Sequence, residues 1–206
     1  MTARFRTYTG VMVDLTSPDP SLVRVADLAH HLAYVNRFGG AAHQYYSVAS
    51  HSVYVSRRLA EEGHPPDVQL AGLLHDASEA YLGDVVSGLK RVLPGYRLIE
   101  ERWEHMLQRV FGVEWVGVAA IKNADVRARI AESRDLFSGT YPPAELDVGD
   151  VRHASLRAYD APVVSETPDE AEFAWLSRAA ELGVLLDADD AEGVALACES
   201  PSAVLL

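Results

Sequence analysis

Apolar residues recur every three to four positions along most of the chain, the period of a helix that buries one face. Val25, Leu28, Leu32 and Val35 predict a first helix over 25–36. Val48, Ser52, Val55 and Leu59 predict a second over about 46–62, closed by Gly63 to Pro66. Leu70, Leu73, Leu74, Ala77 and Tyr81 share one side of a third over 67–82, and further helices fit 96–111 and 115–137. A connection punctuated by Gly139, Pro142, Pro143, Gly149 and Pro162 follows, and a last amphipathic helix starts near Pro168 with Phe173, Trp175 and Leu176. Alternation of the strand type occurs only near the start, where Arg4 to Asp14 swings about Gly10 and predicts a short hairpin. The expected fold is therefore all-α with a short N-terminal β-hairpin, and the tail after 183 has no assigned structure.

Composition narrows the function class more than the fold. The 206 residues suit one domain spanning 1–206, with a core over about 25–137 and a helical extension over about 138–206. Hydrophobic residues at 49% supply a core without staples, and the single cysteine, Cys198, cannot form an internal disulfide. The start of the chain lacks the layout of a secretory signal, and the longest weakly apolar stretch, Val113 to Ile121, carries Glu114 and is too short for a bilayer. A soluble cytoplasmic protein with no membrane partner is expected, and a homodimer is left open. The net charge of −12, from 18 basic and 30 acidic residues, opposes binding of extended nucleic acid. It does not oppose a small anionic substrate, because a bound divalent cation reverses the local field.

Four residues of metal-ligand type stand out on three predicted helices: His51, the pair His75-Asp76, and Asp125. Asp125 lies beside Ile121 and Ala128 on the apolar side of its helix, where a carboxylate must be neutralised. A cation does this, and so does an arginine; Arg127, Arg129 and Arg134 are near in sequence. His51 flanks the Val48–Val55–Leu59 stripe and reads either as a hydrogen-bonded core histidine or as a ligand. His75, Asp76 and Glu79 sit off the stripe of their helix, as a solvated face or as a polar interruption of a strongly apolar helix. Imidazole nitrogen with carboxylate oxygen suits one divalent transition-metal cation, Mn, Co, Zn or Fe, rather than calcium. Trp103, Trp115 and Trp175 at helical positions read as core.

The run Ala71-Gly72-Leu73-Leu74-His75-Asp76-Ala77-Ser78-Glu79, followed by Gly83-Asp84 and Lys90, resembles the HD-domain superfamily of phosphohydrolases. More narrowly it is similar to YfbR-type 5′-deoxynucleotidases and their phage-encoded relatives. Ser47-Val48-Ala49-Ser50-His51-Ser52, Asn36-Arg37-Phe38 and Asn123-Ala124-Asp125 match further family blocks, so the resemblance runs from about Ala26 to Leu136. It implies an HD-domain helical bundle in which His51, His75, Asp76 and Asp125 hold one divalent cation. It implies that Glu79 and Asp84 act on the water or the leaving group, and that Arg37, Phe38 and Lys90 contact the substrate. Asp84, after Gly83, also reads as a helix N-cap for Val85 onward.

The resemblance implies an enzyme that removes the 5′-phosphate from a small nucleotide, a (deoxy)nucleoside monophosphate. A dNTP triphosphohydrolase or an alarmone hydrolase would use the same kind of site, and Ala80 stands where alarmone enzymes carry Asp. A reading of another class is a catalytically inactive nucleotide-binding regulatory module. Departures from the family border the presumed substrate pocket: Ser50 replaces the usual Glu before the first histidine, Phe38 the usual Trp, and Gly39-Gly40 the usual Pro.

Overall fold

The computed structural model describes residues 3–115, 117–137 and 156–185. The Gly/Pro connection from Gly139 to Gly149, Cys198 and the tail beyond residue 185 lie outside the described residues. Strands β1 (Arg4–Arg6) and β2 (Met12–Asp14) form an antiparallel hairpin with Phe5 opposite Val13. The helices are α1 (Val25–Tyr34), α2 (Val48–Glu61), α3 (Pro66–Leu74), α4 (Glu79–Leu82), α5 (Ser87–Val92), α6 (Pro94–Phe111), α7 (Ala119–Leu136) and α8 (Pro168–Glu181). The described chain is thus mostly helical with a short two-stranded hairpin, the expected class. None of its helices is long and apolar enough to cross a membrane.

Helix α2 is the central element, packed against α1, α3, α7 and α8. It starts where Ser47 Oγ accepts the Ser50 N–H at 3.0 Å. Surrounded on most sides, α2 buries polar residues along with its apolar stripe: Ser50, His51, Ser52 and Ser56 beside Val48, Val55 and Leu59. Ser50, His51 and Ser56 find hydrogen-bond partners, and those of His51 shape the site, while Ser52 Oγ has none among the described residues. Trp103 and Trp175 are buried on their helices as expected; Trp115 is buried too, but in the stretch between α6 and α7, because the helix expected from 115 starts only at Ala119.

Two features depart from the periodicity. The helix expected over 67–82 is two, because α3 ends at Leu74 and a turn through His75 to Ser78 precedes α4. Helix α5, which the pattern does not announce, buries none of its residues; a short exposed helix leaves no apolar stripe. Between α1 and α2, an isolated bridge between Asn36 and Ser47 pins the ends of the loop carrying Arg37. Arg37 N–H donates to the Tyr46 carbonyl at 2.9 Å and Val48 N–H to the Val35 carbonyl at 3.0 Å.

After the undescribed connection, residues 156–167 run across α7 and the start of α2. Arg134 donates to the Tyr159 carbonyl at 2.9 Å, and Ser50 Oγ donates to Glu166 at 2.7 Å. Helix α8 then opens with a capping box, in which Thr167 and Glu170 satisfy each other's backbone N–H groups.

Candidate metal centre

Helix α2 delivers His51, the turn after α3 delivers His75 and Asp76, and α7 delivers Asp125. One ligand atom each from His51, His75 and Asp125 lie within 4.8 Å of one another. The two Nε2 atoms are 3.3 Å apart, and Asp125 Oδ1 is 3.5 Å from His51 Nε2. Asp76 Oδ2 stands 3.4 Å from His75 Nε2 and 3.7 Å from His51 Nε2. The four residues read from the sequence as a ligand set are therefore gathered in one place.

Hydrogen bonds fix what the two imidazoles present. His75 Nδ1 lies 2.8 Å from the Gly72 carbonyl, which can only accept, so Nδ1 carries the proton and Nε2 turns a lone pair inward. His51 Nδ1 faces Glu132 Oε1 at 2.5 Å and likewise donates, which leaves Nε2 facing His75 and Asp125. Burial opposes a charge on His51, and Arg37 adds to that, yet Glu132 and Asp125 outweigh both and push its pKa up to about 9. A proton thus occupies the His51 side of the cluster at neutral pH. Burial holds His75 below the usual imidazole range, so it stays a neutral acceptor.

The donor set fits a metal. Two donors each about 2 Å from a common ion are separated by about 3 Å, the spacing already present between the Nε2 atoms. A buried imidazole lone pair beside two carboxylates is a place for a positive charge, which a proton on His51 supplies and a divalent cation could supply in its stead. Burial works against ionisation of Asp76 and Asp125, but the imidazoles and basic side chains beside them prevail. His75, His51 and Arg37 bring Asp76 down to about 2, and Arg129, His51 and Lys122 hold Asp125 well below the usual carboxylate range.

Sequence reasoning missed Glu132. It is fully buried on α7, accepts from His51 Nδ1, and lies 3.4 Å from Arg37 Nη2. Its signal was there to find: Asp125 and Glu132 are seven residues apart, two turns on one helix face that is otherwise Ile121, Ala124, Ala128 and Ala131. Two acids on one apolar stripe imply a shared cationic environment. The arginine weighed against a metal is also present. Arg129 Nε is 3.4 Å from Asp125 Oδ1, and Lys122 Nζ, not anticipated, is 2.9 Å from Oδ2.

The remaining candidates form a second layer. Arg37 is buried, with Nη1 3.2 Å from Asp76 and Nη2 on Glu132, so its guanidinium is committed to the ligand shell. Phe38 holds a left-handed backbone (φ 60°), its N–H donates to Asp84 at 3.2 Å, and its ring packs edge-on against Phe137. Asp84 therefore secures this turn rather than capping α5, whose N-cap is Val86. Lys90 bridges Glu79 at 3.1 Å and Glu100 at 2.6 Å. Burial, aided by Asp76 and Asp84, pushes the Glu79 carboxyl well above its usual range. Its Oε2 is buried with no hydrogen-bond partner among the described residues.

The chain is similar to two bacterial proteins. It is 35% identical over 112 residues to Uncharacterized protein YfdR of Escherichia coli, covering 54% of this chain and 60% of that protein. It is 35% identical over 134 residues to Uncharacterized protein RCAP_rcc00048 of Rhodobacter capsulatus, covering 63% of this chain and 68% of that protein. The chain belongs to the family of this Rhodobacter protein. It spans less than two thirds of the length of the Escherichia coli relative. No protein-family model matches it. Neither relative's name states a chemistry, so the donor cluster itself must carry the functional argument.

Proposed function

We propose that the chain is a metal-dependent phosphohydrolase of the HD-domain superfamily, a cytoplasmic enzyme that removes the 5′-phosphate from (deoxy)nucleoside monophosphates. One observation carries the reading. Two imidazoles and two carboxylates, drawn from three stretches of chain that resemble HD blocks, converge beside a buried carboxyl group with an unsatisfied oxygen. A divalent cation held by His51, His75, Asp76 and Asp125 would lower the pKa of water and offset charge on the phosphoryl oxygens.

The chain's own groups supply the rest. Glu132 and the Gly72 carbonyl orient the two imidazoles, and Arg37 keeps Asp76 and Glu132 ionised in a dry site. Glu79, whose carboxyl burial, Asp76 and Asp84 push well above its usual range, is suited to hand a proton to the departing 5′-oxygen. The bond from phosphorus to that oxygen breaks as one from phosphorus to the water oxygen forms, and the water proton passes to a carboxylate. Acids crowd the side beyond Glu79. Burial, with Glu100 and Asp76, lifts Glu104 to about 7.

The test is phosphate release from a panel of dNMP, NMP and dNTP substrates by protein supplied with Mn, Co, Zn or Fe. Inorganic phosphate from monophosphates, abolished by chelation, is expected. Tripolyphosphate from dNTPs would move the assignment to a triphosphohydrolase. A stoichiometrically metallated protein with no turnover on any member would overturn the hydrolase and leave a binding module.

A further inference from the structure

Cations near the cluster differ in what they are free to do. The Arg37 side chain is 7% exposed and already shared by Asp76 and Glu132, while Lys90 is shared by Glu79 and Glu100. Lys122 and Arg129 are different. They stand three residues before and four after Asp125 on α7, one turn to either side, so all three side chains share a face. Lys122 is 53% exposed and Arg129 20%, against 12% for Asp125 between them. The Arg129 Nε–H is buried and makes no hydrogen bond among the described residues, because Asp125 at 3.4 Å neutralises it without accepting from it.

We propose that Lys122 and Arg129 form the seat for the substrate's phosphoryl group, released for that task when Asp125 commits its charge to a metal. The inference rests on the phosphohydrolase reading and deepens it. Without metal, Asp125 is the counter-ion of Lys122, Arg129 and His51 together. Once Asp125 is a ligand, it has less negative charge to offer them. An exposed ammonium on Lys122 and a guanidinium on Arg129 whose Nε–H has no acceptor among the described residues then flank the ligand, a pair of cations of the kind that recognises a phosphate dianion. Anion binding thereby becomes conditional on the metal. The order of loading, metal before substrate, follows from which charges Asp125 has left to satisfy.

The alternative is that Lys122 and Arg129 only hold Asp125 in position, and the two roles differ in sign. Titrations of Mn(II) into the protein, and of inorganic phosphate into the protein with and without saturating Mn(II), separate them. For the unmodified protein, phosphate binding only in the presence of Mn(II) is expected. For Lys122→Gln, and for the pair with Arg129→Gln, phosphate affinity should fall about tenfold or more while Mn(II) affinity is unchanged or tighter, since a repelling charge beside a ligand has gone. Weakened Mn(II) binding with unchanged phosphate affinity would overturn the seat and leave a structural role. Phosphate binding equally well without metal would overturn the ordered loading. An unmodified protein that takes up no Mn(II), Co(II) or Zn(II) would overturn the metal reading and the seat together, a result distinct from failure of the seat alone. If Arg129→Gln fails to fold, Lys122→Gln, on the exposed side chain, decides the matter by itself.

Discussion

Because His51 Nδ1 is spent on Glu132, only Nε2 can meet a ligand, and at neutral pH that atom carries the proton that the surrounding carboxylates stabilise. Metal uptake must therefore expel it. We expect close to one proton released per divalent ion bound at pH 7.5, read by calorimetry in buffers of different ionisation enthalpy; zero release would show that His51 is not a ligand. Glu132 sets how tightly that ligand is held. Glu132→Gln keeps an acceptor for Nδ1 but removes the charge, and should weaken metal binding about tenfold; Glu132→Ala should weaken it toward a hundredfold. The Ala variant should also lose about 3 kcal/mol of stability, since Arg37 is left buried with one partner fewer. Equal metal affinity in all three proteins would remove Glu132 from the site. The four ligand candidates were legible in the sequence because each interrupts or flanks an apolar stripe. Glu132, two turns beyond Asp125 on the same apolar stripe, carries the same signal, but its partners, His51 Nδ1 and Arg37, show only in the fold.

Helices were readable from their period, and their ends far less so. The stripe Leu70, Leu73, Leu74, Ala77, Tyr81 runs unbroken through the turn at His75 to Ser78, so nothing in the spacing marks the break that points both His75 and Asp76 into the cluster. Just before the break lies a close helix contact. A Cβ on Gly72 would lie 2.4 Å from Leu59 Cδ1, so α3 approaches α2 through the absence of a side chain, and the Gly72 carbonyl is the acceptor that orients His75. Gly72→Ala should push α3 outward, costing about 1–3 kcal/mol of stability. It should also weaken metal binding more than a change away from the site, such as Val13→Ala on β2, would. Loss of stability with full retention of metal affinity would mean that His75 is positioned by its own turn and not by the α2–α3 contact.

At the scale of the whole molecule, the charges that make the site also set how stability follows pH. His51 has a folded pKa of about 9 against 6.5 for the free side chain, so its contribution is complete below pH 6.5 and is lost as pH rises through 9. Glu104, lifted by burial from 4.5 to about 7, acts in the same direction: its contribution is complete below pH 4.5 and gone above 7. On the acid side the signs reverse. Asp76, brought from 3.8 to about 2, gives stability present above pH 3.8 and lost as pH falls through 2. His75 and His31, which burial holds below the usual imidazole range, disfavour folding once pH drops below 6.5. The metal-free protein should accordingly be most stable near pH 6.5 and weaken steadily toward pH 9. With a saturating divalent cation the His51 proton is already absent from the folded state, so its part of that decline vanishes. The difference in Tm between metal-loaded and metal-free protein should then widen from pH 6.5 to 9, measured by scanning calorimetry in metal-free and Mn(II)-saturated buffers. A difference that stays constant or narrows over that window would mean that the proton on His51 and the metal do not compete for one site. The His–His–Asp convergence would then be an ion-paired core, and any stabilising cation would sit elsewhere.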